Sequence, residues 1–167
     1  IVGNADAAFS AVWVGNANTI FYNANGATGG TAPDNGSQAT GSAYTVASNR
    51  SSPDTLVKAG FTFAGWNTSA NGTGVDYAVG ATGLASTSNV TLYAKWTADS
   101  FAVTYVTGDG ASTAPTQANT MYGAIFALPS APTRTGFDFI GWKTGSDSNI
   151  TIYAPGSNFT MGASANE

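Results

Sequence analysis

The sequence predicts a mostly β chain built from small tandem modules with little or no helix. Apolar and polar residues alternate at period 2, as in the string VTLYAKW at residues 90–96. Turn dipeptides such as Asn71-Gly72 separate the alternating segments. The string GFTFAGW at residues 60–66 recurs as GFDFIGW at 136–142, an offset of 76. No long segment carries the apolar stripe of an amphipathic helix, so strands and turns are the expected elements.

The composition allows a folded core and argues against several functions. Of the 167 residues, 43% are apolar and only 8% are charged, against about 25% charged in typical globular proteins. The net charge is −4 and the five cationic residues are scattered, whereas binding to a phosphate backbone needs a basic patch. No apolar run approaches the roughly 20 residues of a membrane-spanning helix. We therefore expect no nucleic-acid partner and no membrane span in this chain.

The residue usage also bears on location. The chain contains no cysteine, which fits the cytosol or the outside of a bacterium and not a small disulfide-stabilised secreted domain. Low charge together with abundant Thr, Asn and Gly favours the outside. The sequence thus predicts an extracellular or bacterial cell-surface protein.

The internal repeat extends beyond the aromatic string. YAVG at residues 77–80 matches YAPG at 153–156 at the same offset of 76, whereas TAP at 31–33 matches 113–115 at an offset of 82. The difference places about six extra residues in the first copy, near 47–52. The polar string ASNRSS found there is typical of a surface loop.

These offsets divide the chain into three segments. Residues 18–98 are predicted to form a first module and residues 99–167 a second. Residues 1–17 precede both and resemble the closing strand of a module.

The resemblance of the first segment to a closing strand depends on its register. At an offset of 83, Phe9 matches Leu92 and Trp13 matches Trp96. Alternate residues of this predicted strand share an inward face. That face carries Ala7, Phe9, Ala11 and Trp13.

The second module is predicted to lack its own closing strand. By the offset of 76, that strand would begin near residue 166. A sheet without its closing strand has an open edge and an uncovered core, and an open edge recruits strands from elsewhere.

The aromatic strands are predicted to face the core. In GFDFIGW, Phe137 and Phe139 point to one side and Asp138 to the other. Because an unpaired carboxylate is costly to bury, the phenylalanine side is the expected core face. The tryptophans recur at equivalent inward positions, which predicts core aromatics more than sugar-stacking ones. They are Trp13, Trp66, Trp96 and Trp142.

Several strings together resemble a known repeat. In the second copy they are ALPSAPTRTGFDFIGW at 127–142 and YAPGS at 153–157. In the first copy they are GFTFAGWNTSANGTG at 60–74, YAVGA at 77–81 and NVTLYAKW at 89–96. The chain is similar over nearly its whole length to the Listeria–Bacteroides repeat, also called the internalin-type B-repeat. The first copy departs from the PTRTG pattern, with LVKAG at 56–60.

The resemblance implies tandem β-grasp-like modules on secreted or surface-anchored bacterial proteins. Such modules act as stalks, spacers or adhesion modules and not as enzymes. The family has no catalytic residues to carry over to this chain.

The residues themselves also argue against catalysis and a cofactor. The chain has neither histidine nor cysteine, which removes the commonest general base and the thiol nucleophile. The turns DNG at 34–36 and DSN at 147–149 are rich in oxygen ligands, but neither has the ligand set of a calcium-binding EF-hand loop. Asx-turn chemistry explains them better. We expect no catalytic residue, no cofactor and no metal site.

Three interpretations of the first segment remain open. The chain is a slice of a longer stalk, or the segment folds back onto its own second module, or it completes the second module of another copy. The last of these would join subunits head to tail into a filament. The predicted interface residues are Ala7, Phe9, Ala11, Trp13, Phe137, Phe139 and Trp142.

The expected partners are other copies of the chain or neighbouring repeats of the same protein. The alternative function is a carbohydrate- or receptor-binding adhesin module that contacts host or bacterial surface glycans or proteins. Tyr93, on the outer face of its predicted strand, is the candidate residue for stacking on a sugar.

Overall fold

The computed structural model describes residues 8–49, 55–108, 110–144 and 151–162. These residues form β-strands and no helix, which confirms the predicted fold class. The strands are β1 (Ala17–Asn23), β2 (Gly36–Ala39), β3 (Phe61–Asn67), β4 (Asp76–Tyr77), β5 (Val90–Ala98), β6 (Ser100–Phe101), β7 (Thr120–Met121), β8 (Ile125–Ala127), β9 (Trp142–Thr144), β10 (Thr151–Tyr153) and β11 (Asn158–Thr160).

The first repeat is organised around a five-stranded sheet in the order β2-β1-β5-β3-β4. Strand β1 pairs antiparallel with β2 and parallel with β5, with Ile20 opposite Val90. Strand β5, the closing strand of the first repeat, therefore lies in the middle of the sheet. This corrects our expectation that a closing strand lies at the edge of the sheet. Leu92 and Ala94 of this strand are fully buried, as are Ile20 and Trp66.

A tyrosine and a tryptophan form the centre of the first core. The rings of Tyr22 and Trp66 meet edge to face, with 4.7 Å between their centroids. The Trp66 indole nitrogen donates to the Ala47 carbonyl at 2.9 Å, and the Ala47 amide donates to the Tyr22 hydroxyl at 2.8 Å. Burial raises the pKa of Tyr22 well above its ordinary value.

The second repeat reproduces this framework with residues of the same types at equivalent positions. Strands β9 and β10 pair Trp142 with Tyr153, just as β3 and β4 pair Trp66 with Tyr77. The Trp142 indole nitrogen donates to the Pro129 carbonyl at 3.0 Å. Its ring centroid lies 4.9 Å from that of Tyr105. The same tyrosine–tryptophan pair therefore anchors both cores.

The middle of the sheet is what differs between the repeats. Residues 100–106, the counterpart of β1, keep only the short pairing of β6 with β7 and an isolated bridge at Thr104. Residues 137–141, the counterpart of most of β3, form only a bridge at Phe137. The counterpart of β5, the strand that lies between these two in the first repeat, is predicted to begin near residue 166, outside the described residues.

This difference corrects the prediction that Phe137 and Phe139 form a core face. Phe137 is 64% exposed, and Phe139 is only half-buried. Their first-repeat counterparts, Phe61 and Phe63, belong to a strand that has β5 as its neighbour. No strand of the described second repeat lies beside Phe137 and Phe139 in the way that β5 lies beside Phe61 and Phe63.

The tyrosine of the second core lacks the hydrogen bond of the first. Among the described residues, the buried Tyr105 hydroxyl has no hydrogen-bond partner. In the first repeat the donor is the Ala47 amide, and its counterpart is Pro129, which has no N–H. Tyr44, whose hydroxyl lies 3.3 Å from that of Tyr22, is also replaced, by Phe126. Burial raises the pKa of Tyr105.

The chain divides into two compact units. The first holds the described parts of residues 1–25, 30–56 and 65–95. The second holds the described parts of 26–29, 57–64 and 96–167. The second unit thus includes the start of β3 and the end of β5 together with the second repeat.

Replacing the two tyrosines by phenylalanine should have different effects on stability. Tyr22→Phe leaves the Ala47 N–H without its acceptor, so we expect the free energy of unfolding to fall by about 1–3 kcal/mol. Tyr105→Phe removes a hydroxyl that has no partner, so we expect no loss of stability. Urea unfolding measures both effects, and hydrogen exchange at the Ala47 amide should accelerate only in Tyr22→Phe. Equal destabilisation by the two substitutions would contradict this account of the cores.

Candidate strand-acceptor site

The predicted donor segment has an unpacked apolar face. Residues 8–16 carry no regular secondary structure in the single chain. Phe9 is 95% exposed and Trp13 is 89% exposed, and Ala11 is exposed as well. Ala7 lies outside the described residues. The segment is therefore not packed against its own chain at these positions, and its role as a donor strand stays a prediction.

The four tryptophans fall into different environments. Trp66 and Trp142 are buried, as an inward position requires. Trp96 is half-buried and meets Phe63 edge to face, with 5.6 Å between ring centroids. Trp13 is the exception, because nothing in the single chain covers it.

The structure brings together some of the predicted acceptor residues. The rings of Phe139 and Trp142 meet edge to face, with 5.1 Å between their centroids. Phe137 instead lies beneath the Arg134 guanidinium, whose carbon is 4.1 Å from the ring centroid. An open cleft of about 630 Å³ is lined by Phe137, Phe139 and neighbouring residues at 110–112 and 131–135.

The first repeat shows how a closing strand fills the equivalent place. On its inner face, Leu92 and Ala94 are fully buried, and Trp96 packs on Phe63. On its outer face, the Lys95 ammonium forms an ion pair with the Asp76 carboxylate. Tyr93, the candidate for sugar stacking, is half-buried in the centre of this sheet.

The Asp76 carboxylate is held by two donors. The Lys95 ammonium and the Asn67 amide, whose nitrogen lies 2.6 Å from Asp76 Oδ1, together lower the pKa of Asp76 from its usual value. Asn67 is itself buried, and its side-chain oxygen accepts from the amides of Ser69 and Gly74. This network ties the outer face of β5 to the loop between β3 and β4.

A second set of contacts, which sequence patterns did not reveal, surrounds Asp99 after the end of β5. The Asp99 amide donates to the Gly60 carbonyl at 2.9 Å, and the Asp99 carbonyl accepts from the Tyr122 amide at 2.8 Å. The Thr62 hydroxyl donates to the Asp99 carboxylate at 2.6 Å. The Phe61 and Tyr122 rings meet edge to face, with 5.2 Å between their centroids.

Gly60 is required at this point for two reasons. Its φ of +76° lies in the left-handed region, and a Cβ there would lie 2.4 Å from the Tyr122 ring. We call Gly60, Phe61, Thr62, Asp99 and Tyr122 the Asp99 clamp; all five belong to the second unit.

The described residues were also surveyed for other kinds of site. Among them, no three Asp, Glu, His or Cys side chains lie close enough together to hold a metal ion. Of the two oxygen-rich turns, Asp34 is exposed and residues 147–149 lie outside the described part. Nor do the described residues include a helix able to cross a membrane.

Comparison with known proteins agrees with the repeated geometry. The model of the Listeria-Bacteroides repeat domain matches residues 19–95 and 101–165. The chain belongs to the Listeria–Bacteroides repeat family. The resemblance seen in the sequence strings is thereby confirmed, with two tandem copies.

Two relatives are similar to part of this chain. A protein described as a Gly-rich membrane protein, from Evansella cellulosilytica, is 39% identical over 88 residues, which is 53% of this chain and 10% of the relative. Internalin H of Listeria monocytogenes is 36% identical over 117 residues, which covers 61% of this chain and 20% of the relative. The matched region is thus a small part of each relative. No solved structure shows a significant match.

Family membership and these relatives indicate a surface-protein repeat.

The Asp99 clamp predicts a charge-sensitive position. Thr62→Asp sets two carboxylates face to face, so we expect a lower melting temperature, recovered by adding Asp99→Asn because the amide then donates to the new carboxylate. Differential scanning calorimetry measures both variants. Thr31→Asp, at an exposed loop position, is the matched control and should leave the melting temperature unchanged. A double variant no more stable than Thr62→Asp alone would contradict the clamp.

The Asp76 network predicts a pH dependence. Because the folded-state pKa of Asp76 is lowered, its contribution to stability is present above the unfolded-state pKa and is lost as pH falls through the folded-state value. Lys95→Gln should therefore raise the pKa of Asp76 towards its usual value. Carboxyl-carbon NMR titration of wild type and variant measures this, and an unchanged titration curve would argue against the ion pair in solution.

Proposed function

We propose that this chain is a non-catalytic, extracellular structural repeat whose copies join head to tail by strand donation. Residues 7–14 of one copy become the central strand of the second repeat in the next copy. The observation that carries this proposal is the second repeat itself. It has the framework of the first repeat but, among the described residues, no strand paired between residues 100–106 and 137–141.

The position in the second repeat that is equivalent to that of β5, which we call the vacancy, has a segment on each side with which a strand can pair. In the first repeat, β5 has β1 on one side and β3 on the other. Their described counterparts in the second repeat pair with other strands through β6 and β9 and otherwise form isolated bridges. A strand inserted there gains main-chain hydrogen bonds on both sides, which is the bonding used when strands are added between modules.

The donor segment matches the vacancy side chain by side chain. Its inner face places Phe9, Ala11 and Trp13 where β5 has Leu92, Ala94 and Trp96. A donated Trp13 would therefore meet Phe139 as Trp96 meets Phe63. Shape on this face is conserved between the donor segment and β5, since two of the three positions are identical.

The energies on this face are closely balanced. Burial of Phe9 and Trp13 contributes about 1.5–3 kcal/mol each. Ordering the segment costs roughly 1–2 kcal/mol per residue. Donation thus depends on the two rows of hydrogen bonds and on contacts made by the outer face.

The surface location is supported by the family and by the relatives. Internalin H and the Gly-rich membrane protein are similar to this chain over only 20% and 10% of their own lengths. A heterologous contact of this kind does not close on itself, so repeated donation gives an open array and not a ring. Such an array suits a stalk or fibre.

The test is the association state of the full chain. Sedimentation velocity over a range of concentrations should show growing oligomers of the wild type. Trp13→Ser should weaken association at least about tenfold, because it removes one of the two large buried side chains. Val75→Ser changes another exposed apolar residue and is the matched control, expected to behave as the wild type.

A peptide of residues 7–14 provides the complementary experiment. It should cap the vacant strand position and convert oligomers to monomers. A wild-type chain that stays monomeric at every concentration, and that does not bind the peptide, would overturn strand donation. The vacancy would then be filled by a neighbouring strand of a longer polypeptide, as in a stalk.

A further inference from the structure

We infer that the second repeat is selective for the N-terminal segment of its own chain over a strand of the β5 type. The selectivity lies in outer-face residues that differ between the repeats in a matched way. Val12 pairs with Ile140 and Ile152, and Asn16 pairs with Asp138. The inference rests on the proposed strand donation and names what sets its partner and register.

The first matched set replaces an ion pair by apolar contacts. In the first repeat, Lys95 of β5 pairs with Asp76 of β4. By the offsets of 83 and 76, the counterpart of Lys95 is Val12 and that of Asp76 is Ile152. Both partners change from charged to apolar together, which keeps the pair complementary.

A third residue completes this apolar set. Strand β3 lies between β5 and β4, and its exposed Ala64 is replaced by Ile140 in the second repeat. Ile140 is 80% exposed and Ile152 is 54% exposed. Val12, Ile140 and Ile152 would therefore form one apolar row across the completed sheet, covered in part by each other.

The second matched pair exchanges a donor and an acceptor. In the Asp99 clamp, the Thr62 hydroxyl donates to the Asp99 carboxylate. The counterpart of Thr62 is Asp138, and the counterpart of Asp99 is Asn16. In the second repeat the acceptor is the Asp138 carboxylate, and the donor is the side-chain amide of Asn16 in the donated segment. The Asn16 amide can therefore donate to the Asp138 carboxylate.

The backbone carbonyl of Asn16 already makes one of the hydrogen bonds of the clamp. The Asn16 carbonyl accepts from the Thr40 amide at 2.8 Å, as the Asp99 carbonyl accepts from the Tyr122 amide at 2.8 Å. On the acceptor side, a Cβ added to Gly136 meets no atom within 4 Å, whereas its counterpart Gly60 is covered by Tyr122. The receiving position at Gly136 is thus open.

A strand of the β5 type fits this position poorly. Its lysine would place an ammonium against Ile140 and Ile152, and its following aspartate would face Asp138. The first combination leaves an apolar row uncovered, and the second sets like charges together. Because Val12 and Asn16 lie four residues apart, both matches hold in one register only, so they also oppose slippage of the strand.

The test compares two peptides on the full-length Trp13→Ser chain, which keeps the acceptor but has a weakened donor. A peptide of residues 7–17 should bind more tightly than a peptide of residues 90–100, by about fivefold or more. Isothermal titration calorimetry measures both. Equal affinities would overturn the selectivity while leaving strand donation intact; failure of both peptides to bind would overturn donation as well.

Double variants of the full chain test which residue pairs produce the selectivity. Val12→Lys should weaken association by about twofold to fivefold, and adding Ile152→Asp should restore it by recreating the Lys95–Asp76 pair. Asn16→Asp should weaken association to a similar extent at low salt and less at high salt, and adding Asp138→Thr should restore it. Asn35→Asp, an exposed change of the same charge, is the control and should have no effect.

Two results with these variants would contradict the proposed contacts. If the effects of Val12→Lys and Ile152→Asp simply add, the two residues do not face each other and the proposed register is wrong. If Asn16→Asp weakens association equally at all salt concentrations, its effect is not the carboxylate repulsion inferred here. Either result is distinct from the loss of association that Trp13→Ser alone should cause.

Discussion

The central position of the closing strand is the constraint on which the rest of this structure depends. In the first repeat, β5 pairs with strands on both sides, and its inner face completes the core. In the described part of the second repeat, the tyrosine–tryptophan pair and the β6–β7 and β9–β10 pairings are present. Residues 137–141 there form only an isolated bridge, whereas their counterparts in β3 lie beside β5.

Local patterns in the sequence were sufficient for the features that depend on nearby residues. The repeat offsets, the strand character of residues 61–67 and 90–98, and the burial of Trp66 and Trp142 follow from period-2 alternation and aromatic spacing. The burial of Phe137 did not follow. Whether a residue on an alternating strand is buried depends on the strand beside it, and alternation carries no information about that neighbour.

The sequence patterns did not predict the Asp99 clamp, for a different reason. Thr62 and Asp99 are 37 residues apart, and neither residue is unusual for its local segment. The signal existed only as a comparison of the two repeats, in which Thr62 and Asp99 correspond to Asp138 and Asn16. The orphaned hydroxyl of Tyr105 is similar, because it becomes intelligible once Pro129 is aligned with Ala47. In both cases the informative unit is a pair of positions and not a single motif.

A strand held from both sides has a consequence for how such a joint carries force. In the proposed array, a force applied along the donated strand would load its two rows of hydrogen bonds in shear, so that many bonds would share the load at once. A strand bound at an edge can be peeled away one bond at a time. Because β5 lies between β1 and β3, a donated strand in the equivalent position would be held by hydrogen bonds on both sides, as β5 is within the first repeat.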